Sequence, residues 1–565
     1  MKATQEQLDA VELASRGETM KLNAFAGAGK TSTLILIANR LNELGKKGLY
    51  LAFNKSIATE AQRKMPSNVT AKTFHSLAYS ESPEWLLAKL QEPQISIQDF
   101  VKEFSIVPVR VTDGTMSYSK DKNGKIVENL IYETRIISAF RIKYLVDKAL
   151  ECFVDSLSES PQKEHAKKAI LNEYPLMESV DVGSFDYLCK KVTQIAINLW
   201  TDYISEDGEL GLKNNHSVYL KYWAVSKPVI DYDFILFDEA QDADSLMLSV
   251  LQSQKCQIIY VGDRHQQIYG WRGAINAIEK IDANEGWLTQ SFRFGQPLAD
   301  ACTPILRHLG ESNTIKGFGN NTQIFDSMSS NVQAVLCRSN AGAIAKLLEL
   351  VKEGKKATIN LDVNESIKFI EDLAELEENT KKVNLDKANV PVYETKNGKV
   401  HYRSFEELEL YLDEYSGDAE TQLYHRIFKS YDVGFITAML RQAKSQSDGI
   451  FITTAHKAKG LEWDSVMLHT DFVNHFFYTS SDGIERKVAS EIDYLLPHEI
   501  TKRGLDASSL IPLLKKPNSE EWRLLYVAMT RAKKQLYLGS CNQILKEYFE
   551  YYPLFDFNNQ TPIMR

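Results

Sequence analysis

The chain has 565 residues, room for roughly three to four domains, so a small scaffold held by staples is excluded. Hydrophobic residues are 44% and charged residues 25%, the balance of a globular protein; no run approaches the roughly 20 apolar residues of a membrane helix, and with no signal-like start a cytoplasmic protein without a membrane partner is expected. The six cysteines are scattered with no C-x-x-C pair and the net charge is −9, which argues against a metal-thiolate site and a global basic footprint, leaving any nucleic acid to a local groove.

Met20 to Phe25 reads as a strand, Ala26-Gly27-Ala28-Gly29-Lys30-Thr31 as a glycine loop, and Ser32 to Leu44 as a helix. That order is a P-loop. Gly27 and Gly29 let the backbone N–H groups of the loop curl round a phosphate, Lys30 reaches the β- and γ-phosphates, and the Thr31 hydroxyl ligates Mg²⁺. Ala24 stands where the general pattern has its first glycine. Lys30 is expected to be solvent-accessible, so that Lys30→Ala stops turnover without disturbing the fold.

Further on, Tyr118 to Val127 places Asn123-Gly124 between strand-like runs and reads as a hairpin, with Lys120, Lys122 and Lys125 at its tip. Asp233 to Phe237 is an apolar strand ending in Asp238-Glu239-Ala240-Gln241-Asp242. Asp238 is suited to hold Mg²⁺ and Glu239 to orient or deprotonate the attacking water. With the P-loop, these acids imply ATP hydrolysis. Gln257 to Val261 is another buried strand, running into Gly262 to Ala274. Here Gln266 is placed to sense the γ-phosphate, and Trp271 offers a ring on which a base stacks for about 1–3 kcal/mol. His265 reads as a core histidine.

Taken together, these segments resemble the UvrD/Rep branch of superfamily 1 helicases. Gln7 looks like the adenine-reading Q motif, Phe53-Asn54-Lys55 like motif Ia and Thr73-Phe74-His75-Ser76 like motif Ib. Leu288 to Arg293 resembles motif IV, Thr454 to Glu462 motif V, and Leu525 to Ala532 motif VI. Within that branch the wording is most similar to the F-box DNA helicase family. Gln7 lies so close to the start that a core without an F-box is expected, as is a prokaryotic or viral origin, and no appended nuclease is expected after motif VI.

The resemblance implies an α/β fold with two RecA-like parallel-sheet domains, each interrupted by an inserted, mainly helical subdomain. The expected boundaries are 1–80 with 230–280 for the first domain, 81–229 for its insertion, 281–340 with 450–555 for the second domain, 341–449 for its insertion, and 556–565 as a tail. ATP and Mg²⁺ would lie between the domains, with Lys30, Thr31, Asp238, Glu239 and Gln266 on one wall and Arg293 and Arg531 as charge-stabilising arginines on the other. Gln7, Ala26, Ala28, Phe292, Gly460 and Glu462 would complete the nucleotide site, Phe292 stacking on adenine and Glu462 contacting ribose. Asn54, Thr73, His75, Trp271, Thr454 and His456 would face single-stranded DNA.

The resemblance further implies 3′→5′ translocation or unwinding by a monomer at single-strand/duplex junctions, in DNA repair or recombination control, with a recombinase filament or a single-strand-binding protein as partner. The alternative is an ATP-gated single-strand clamp or filament remodeller with little unwinding. The acids Glu371, Asp372, Glu375, Glu377 and Glu378 in the second insertion read as a solvated or protein-contact face rather than a phosphate site.

Overall fold

The computed structural model describes residues 2–550 apart from 93–94, 124–125, 209, 211–214, 269, 271–275, 320, 328–331, 383–391, 396–397, 402–404, 415–418, 478, 481–482, 485, 489–493, 496–509 and 513. Apolar strands such as Gly48–Ala52 and Phe234–Phe237 are buried along their whole length, the pattern of parallel strands covered by helices on both faces. The first sheet comprises β1 (Met20–Ala24), β2 (Gly48–Ala52), β3 (Val69–Thr73), β6 (Phe234–Phe237), β7 (Gln257–Gly262) and β8 (Asn284–Leu288), in the order β3-β2-β6-β7-β1-β8. All its pairings are parallel.

Between β3 and β6 the chain forms the first insertion. It contains the hairpin of β4 (Val109–Lys120) and β5 (Ile126–Ile137), paired from Val109↔Ile137 to Lys120↔Ile126, and helices including Ala139–Val154, Val182–Tyr203 and His216–Val225. The expected hairpin is present and far longer than its turn signal suggests. Lys120 and Lys122 are exposed at its tip, whereas Gly124 and Lys125 lie outside the described residues.

A second six-stranded parallel sheet contains β9 (Gln323–Phe325), β10 (Ala334–Cys337), β11 (Ala357–Asn360), β14 (Ile450–Thr454), β15 (Trp463–Leu468) and the strand Ala532–Tyr537. Its order is β11-β14-β10-β15, then Ala532–Tyr537, then β9. A small hairpin of β12 (Val392–Thr395) and β13 (Gly398–His401) lies within the second insertion.

Two boundaries read from the sequence differ from the structure. β8 pairs with β1, so the first sheet passes the expected limit at 280. β8 begins with Asn284 and Glu285 on an exposed sheet edge, and so lacks the apolar signature of a central strand. β11 pairs with β14, so part of 341–449 belongs to the second sheet itself. Ile359 of β11 packs with Ile344, Leu347, Ile436 and Leu440 in one core, and four residues are too few to show a strand period. The expected tail lies outside the described residues. In the helix Val363–Lys382, Ile367, Ile370, Leu373 and Leu376 are buried; of the five acids read as a solvated or protein-contact face, Glu371, Glu375 and Glu378 are exposed, whereas Asp372 and Glu377 are half-buried and Glu377 pairs with Lys429.

Candidate nucleotide site and strand groove

The first wall of the site is built at the C-terminal ends of neighbouring strands β6, β7 and β1, where an open parallel sheet places its ligands. After β1 the chain turns through Gly27 and Gly29, both with left-handed φ of 71° and 76°, and enters α2 (Lys30–Glu43), whose N-cap is Gly29. A side chain is barred at Gly27 for a second reason: a Cβ there would lie 2.6 Å from both the Arg293 Cβ and the Ser291 Oγ. Ala26 and Ala28 are buried beside the turn.

Lys30 is not the solvent-accessible lysine expected from the sequence. Its Nζ lies 3.0 Å from Glu239 Oε1, and its side chain is 15% exposed. Glu239 itself occupies a left-handed conformation, φ 54°, which turns its carboxylate back toward the P-loop directly after β6. Burial opposes the charge on Glu239, but the ammoniums of Lys30 and Lys459 and the Gln241 amide outweigh it and hold the carboxyl at about 2. Asp238 moves the other way, raised by burial and by the neighbouring Glu239 charge. It accepts hydrogen bonds from Tyr50 Oη at 2.6 Å and from the Glu239 N–H at 2.9 Å.

At the other side of the P-loop, α1 (Gln5–Ser15) opens with a capping box between Thr4 and Gln7. Gln7 Oε1 accepts from the Thr4 N–H and its Nε2 donates to Thr33 Oγ1 at 3.1 Å. A Cβ on Gly29 would lie 3.3 Å from Gln7 Nε2 and 3.4 Å from the Phe292 ring, so an amide and an aromatic ring border the same turn.

The second wall comes from the segment after β8 and from the second sheet. Arg293 Nε donates to Glu462 at 2.7 Å, and its Nη1 donates to the Thr530 carbonyl at 3.1 Å. Arg531 is 1% exposed; it donates to the Val527 carbonyl and, across the cleft, to Gln266 Oε1 at 2.9 Å. Burial, with the nearby Arg293 charge, lowers its guanidinium to about 9. Gln266 in turn donates to Asp263 Oδ2 at 2.8 Å. Gly460 sits at φ 85° with open space where a Cβ would be, two residues before Glu462.

The oxygen donors Thr31 and Asp238, the turn's N–H groups and the Lys30 ammonium fit a magnesium nucleotide by their chemistry. The matching turn of the second sheet does not. There, the N–H groups of Arg338 and Ser339 donate to Asp471, and those of Asn340 and Ala341 donate to Glu420. Two carboxylates thus occupy the position a phosphate would need, and a Cβ added at Gly342 would lie 1.9 Å from Asp471 Oδ2.

Sequence reasoning missed several members of the site. Asp263, directly after β7, accepts from the His265 N–H, Gln266 and Tyr526. Tyr526 also accepts the Ala26 N–H, and Lys459 reaches across to Asp242. Asp263, Tyr526 and Lys459 stand inside the strings that carry the motifs, but their apolar or charged neighbours give no sign of a cross-cleft partner. His265, read as a core residue, is buried and bonds Glu311 through Nε2 at 2.9 Å.

The residues expected to face DNA are divided. Thr73 and His75, at the start of α4 (Phe74–Glu81), line a groove of about 750 Å³ with Lys55, Arg63, Lys72 and Tyr79. Asn54 caps α3 (Lys55–Lys64) at its edge. His216 and Tyr219, from the first insertion, close the groove and were not singled out in the sequence. Thr454 is buried, accepting the Lys457 N–H, so its hydroxyl serves the turn after β14 rather than an open surface; His456 beside it is half-buried. Trp271 lies outside the described residues.

Residues 67–543 match the family described as UvrD-like helicase C-terminal domain. The chain belongs to that family. The match begins after the P-loop, so the geometry of 26–31 stands as a separate observation. Among curated relatives, F-box DNA helicase 1 of Gallus gallus is 29% identical, aligned over 93% of this chain and 47% of its own. F-box DNA helicase protein 1 of Schizosaccharomyces pombe is 27% identical, over 93% of this chain and 56% of its own. The chain therefore spans about half the length of the curated relatives it matches. A solved Bacteroides Pif1 bound to ssDNA aligns over 95% of this chain and 92% of its own at 11% identity and TM-score 0.29. Relatives from a bird and a yeast give the expected prokaryotic or viral origin no support. No described helix is long and apolar enough to cross a membrane.

Proposed function

We propose that this chain is an ATP-driven motor that moves 3′→5′ along single-stranded DNA and separates duplex ahead of it, as a monomer acting in repair or recombination control. The reading is carried chiefly by one observation, the hydrogen bond from Arg531 of the second unit to Gln266 of the first, because it lets a single nucleotide be sensed by both units at once. Bound Mg²⁺ would neutralise charge on the phosphates. Around it, Lys30 and the turn's N–H groups would bind phosphate oxygens, Thr31 and Asp238 would hold the ion, and Glu239 would orient or deprotonate the attacking water. Arg293 and Arg531 meet the charge that develops on the transferred phosphoryl group.

Closing and opening of the cleft then shifts the groove around Thr73 and His75 relative to His456, which converts turnover into directional movement. Trp271 supplies a stacking ring for a base. Lys120 and Lys122 at the hairpin tip meet the duplex junction; Lys120→Ala with Lys122→Ala is expected to slow unwinding and flatten its salt dependence. The names of the relatives point to DNA as the track, and a recombinase filament or single-strand-binding protein is the partner proposed.

The experiment is displacement of a labelled strand from duplexes carrying a 3′ or a 5′ single-stranded DNA tail, with ATP, beside an RNA-tailed control. Displacement from the 3′-tailed DNA alone supports the reading. Displacement from the 5′ tail reverses the polarity, preference for RNA changes the track, and stimulated hydrolysis without displacement makes the protein an ATP-gated clamp.

A further inference from the structure

Lys459 and Asp242 stand in segments that frame the cleft, yet the mechanism above gives neither a task. Lys459 lies in the turn after β14 of the second unit and Asp242 four residues beyond Asp238 in the first. The Lys459 Nζ donates to Asp242 Oδ2 and, at 2.7 Å, to the main-chain carbonyl of Gln266. The two side chains are 10% and 2% exposed, so the pair is shielded from solvent, where removing one partner leaves a costly unpaired charge. The other oxygen of Asp242, Oδ1, is buried and has no hydrogen-bond partner among the described residues; Lys459 is the cation hydrogen-bonded to this carboxylate. The Asp242 N–H in turn donates to the Glu239 carbonyl at 2.9 Å.

One cation therefore binds the acid segment after β6, which includes Glu239, and pins the backbone of the residue that meets Arg531. The Gln266 carbonyl that it holds belongs to the same residue whose side chain spans Asp263 and Arg531. A shift of the second unit cannot move Lys459 without pulling on both contacts.

We propose that Lys459 is a positioning residue, anchored on Asp242, that ties closure of the two units to the placement of Gln266 and Glu239. The inference rests on the ATPase reading of this cleft and deepens it: nucleotide binding is left to the P-loop, and Lys459 governs how strongly a bound strand accelerates turnover.

The test compares the full chain with Lys459→Met, Lys459→Arg, Asp242→Asn and the double variant Lys459→Met/Asp242→Asn. ATP hydrolysis is measured with and without single-stranded DNA, and amide hydrogen exchange is followed over 238–242 and 263–267. In Lys459→Met and Asp242→Asn, KM for ATP is expected to stay within about twofold while strand-stimulated kcat falls about tenfold, with partial recovery in Lys459→Arg. The double variant is expected to be no worse than the poorer single, because residues acting as one unit are not additive. Exchange over both segments rises in each single variant whether or not turnover is detected.

Stimulated kcat in Lys459→Met within about twofold of wild type, a double-variant loss equal to the product of the singles, or unchanged exchange would each overturn the proposal. A wild type that hydrolyses no ATP overturns the motor reading instead, and the exchange comparison still decides whether Lys459 holds these segments in place.

Discussion

The hydroxyl of Tyr526, in the second unit, accepts a hydrogen bond from the Ala26 N–H at 3.0 Å and donates to Asp263 at 3.2 Å. The helix Ser519–Met529, which ends two residues before Arg531, therefore also holds the first residue of the glycine turn. Tyr526→Phe leaves the packing of the ring intact but strands a buried N–H, at a cost of about 1–3 kcal/mol. Urea denaturation is expected to show that loss, and KM for ATP to rise as the turn loosens. A variant matching wild type in both would show that Tyr526 plays no part in holding the turn.

Lys30 and Glu239 make a second paired test. Lys30→Ala is expected to abolish ATP turnover, and because it leaves the half-buried Glu239 carboxylate without its ion-pair partner, it should also lower the melting temperature. Adding Glu239→Gln to Lys30→Ala should restore much of that thermal stability without restoring turnover. Equal melting temperatures for wild type and Lys30→Ala would favour the solvent-accessible lysine that the sequence alone suggests.

A pH effect is expected far from the cleft. Lys221 is fully buried in the helix His216–Val225; its Nζ donates to the Ser156 carbonyl at 2.6 Å and lies 4.6 Å from the centre of the Phe153 ring. Burial lowers its ammonium from 10.5 to about 8, although Asp155 and Asp244 pull it upward. A folded value below the unfolded one means that the unfolded chain binds more protons, so this residue's contribution to stability rises with pH between about 8 and 10.5. Lys221→Met should therefore gain most over wild type below pH 8, the difference shrinking toward pH 10.5. Denaturation curves at several pH values test this, and a pH-independent difference would contradict it.

The strand, glycine turn and helix around Lys30 and the acids after an apolar strand were legible in the sequence as local patterns, and the structure brings Lys30 within 3.0 Å of Glu239. The hairpin was legible from Asn123-Gly124 because that dipeptide suits a tight turn. What escaped was set by contacts between distant parts of the chain. Lys459 and Asp242 are 217 residues apart, and Tyr526 and Ala26 are 500 apart, so no local period joins them. β11 was lost inside an expected insertion because four residues cannot display a pattern, and β8 because its polar start reads as a loop. The contrast between the two β-to-helix turns was likewise hidden: Asp471 and Glu420, which fill the second one, lie far from Arg338 and Ser339 in sequence.

The proposed composite site, with one nucleotide held by the first unit and completed by the second, requires Arg531 for turnover and not for binding. Nucleotide binding and strand-stimulated hydrolysis of Arg531→Ala, set beside wild type, test this most directly. The expected result is ATP binding close to wild type with kcat lower by about 10³-fold or more, the range for a transition-state arginine. Wild-type turnover in Arg531→Ala, or loss of binding with kcat unchanged, would contradict a composite site and leave the first unit to hydrolyse ATP by itself.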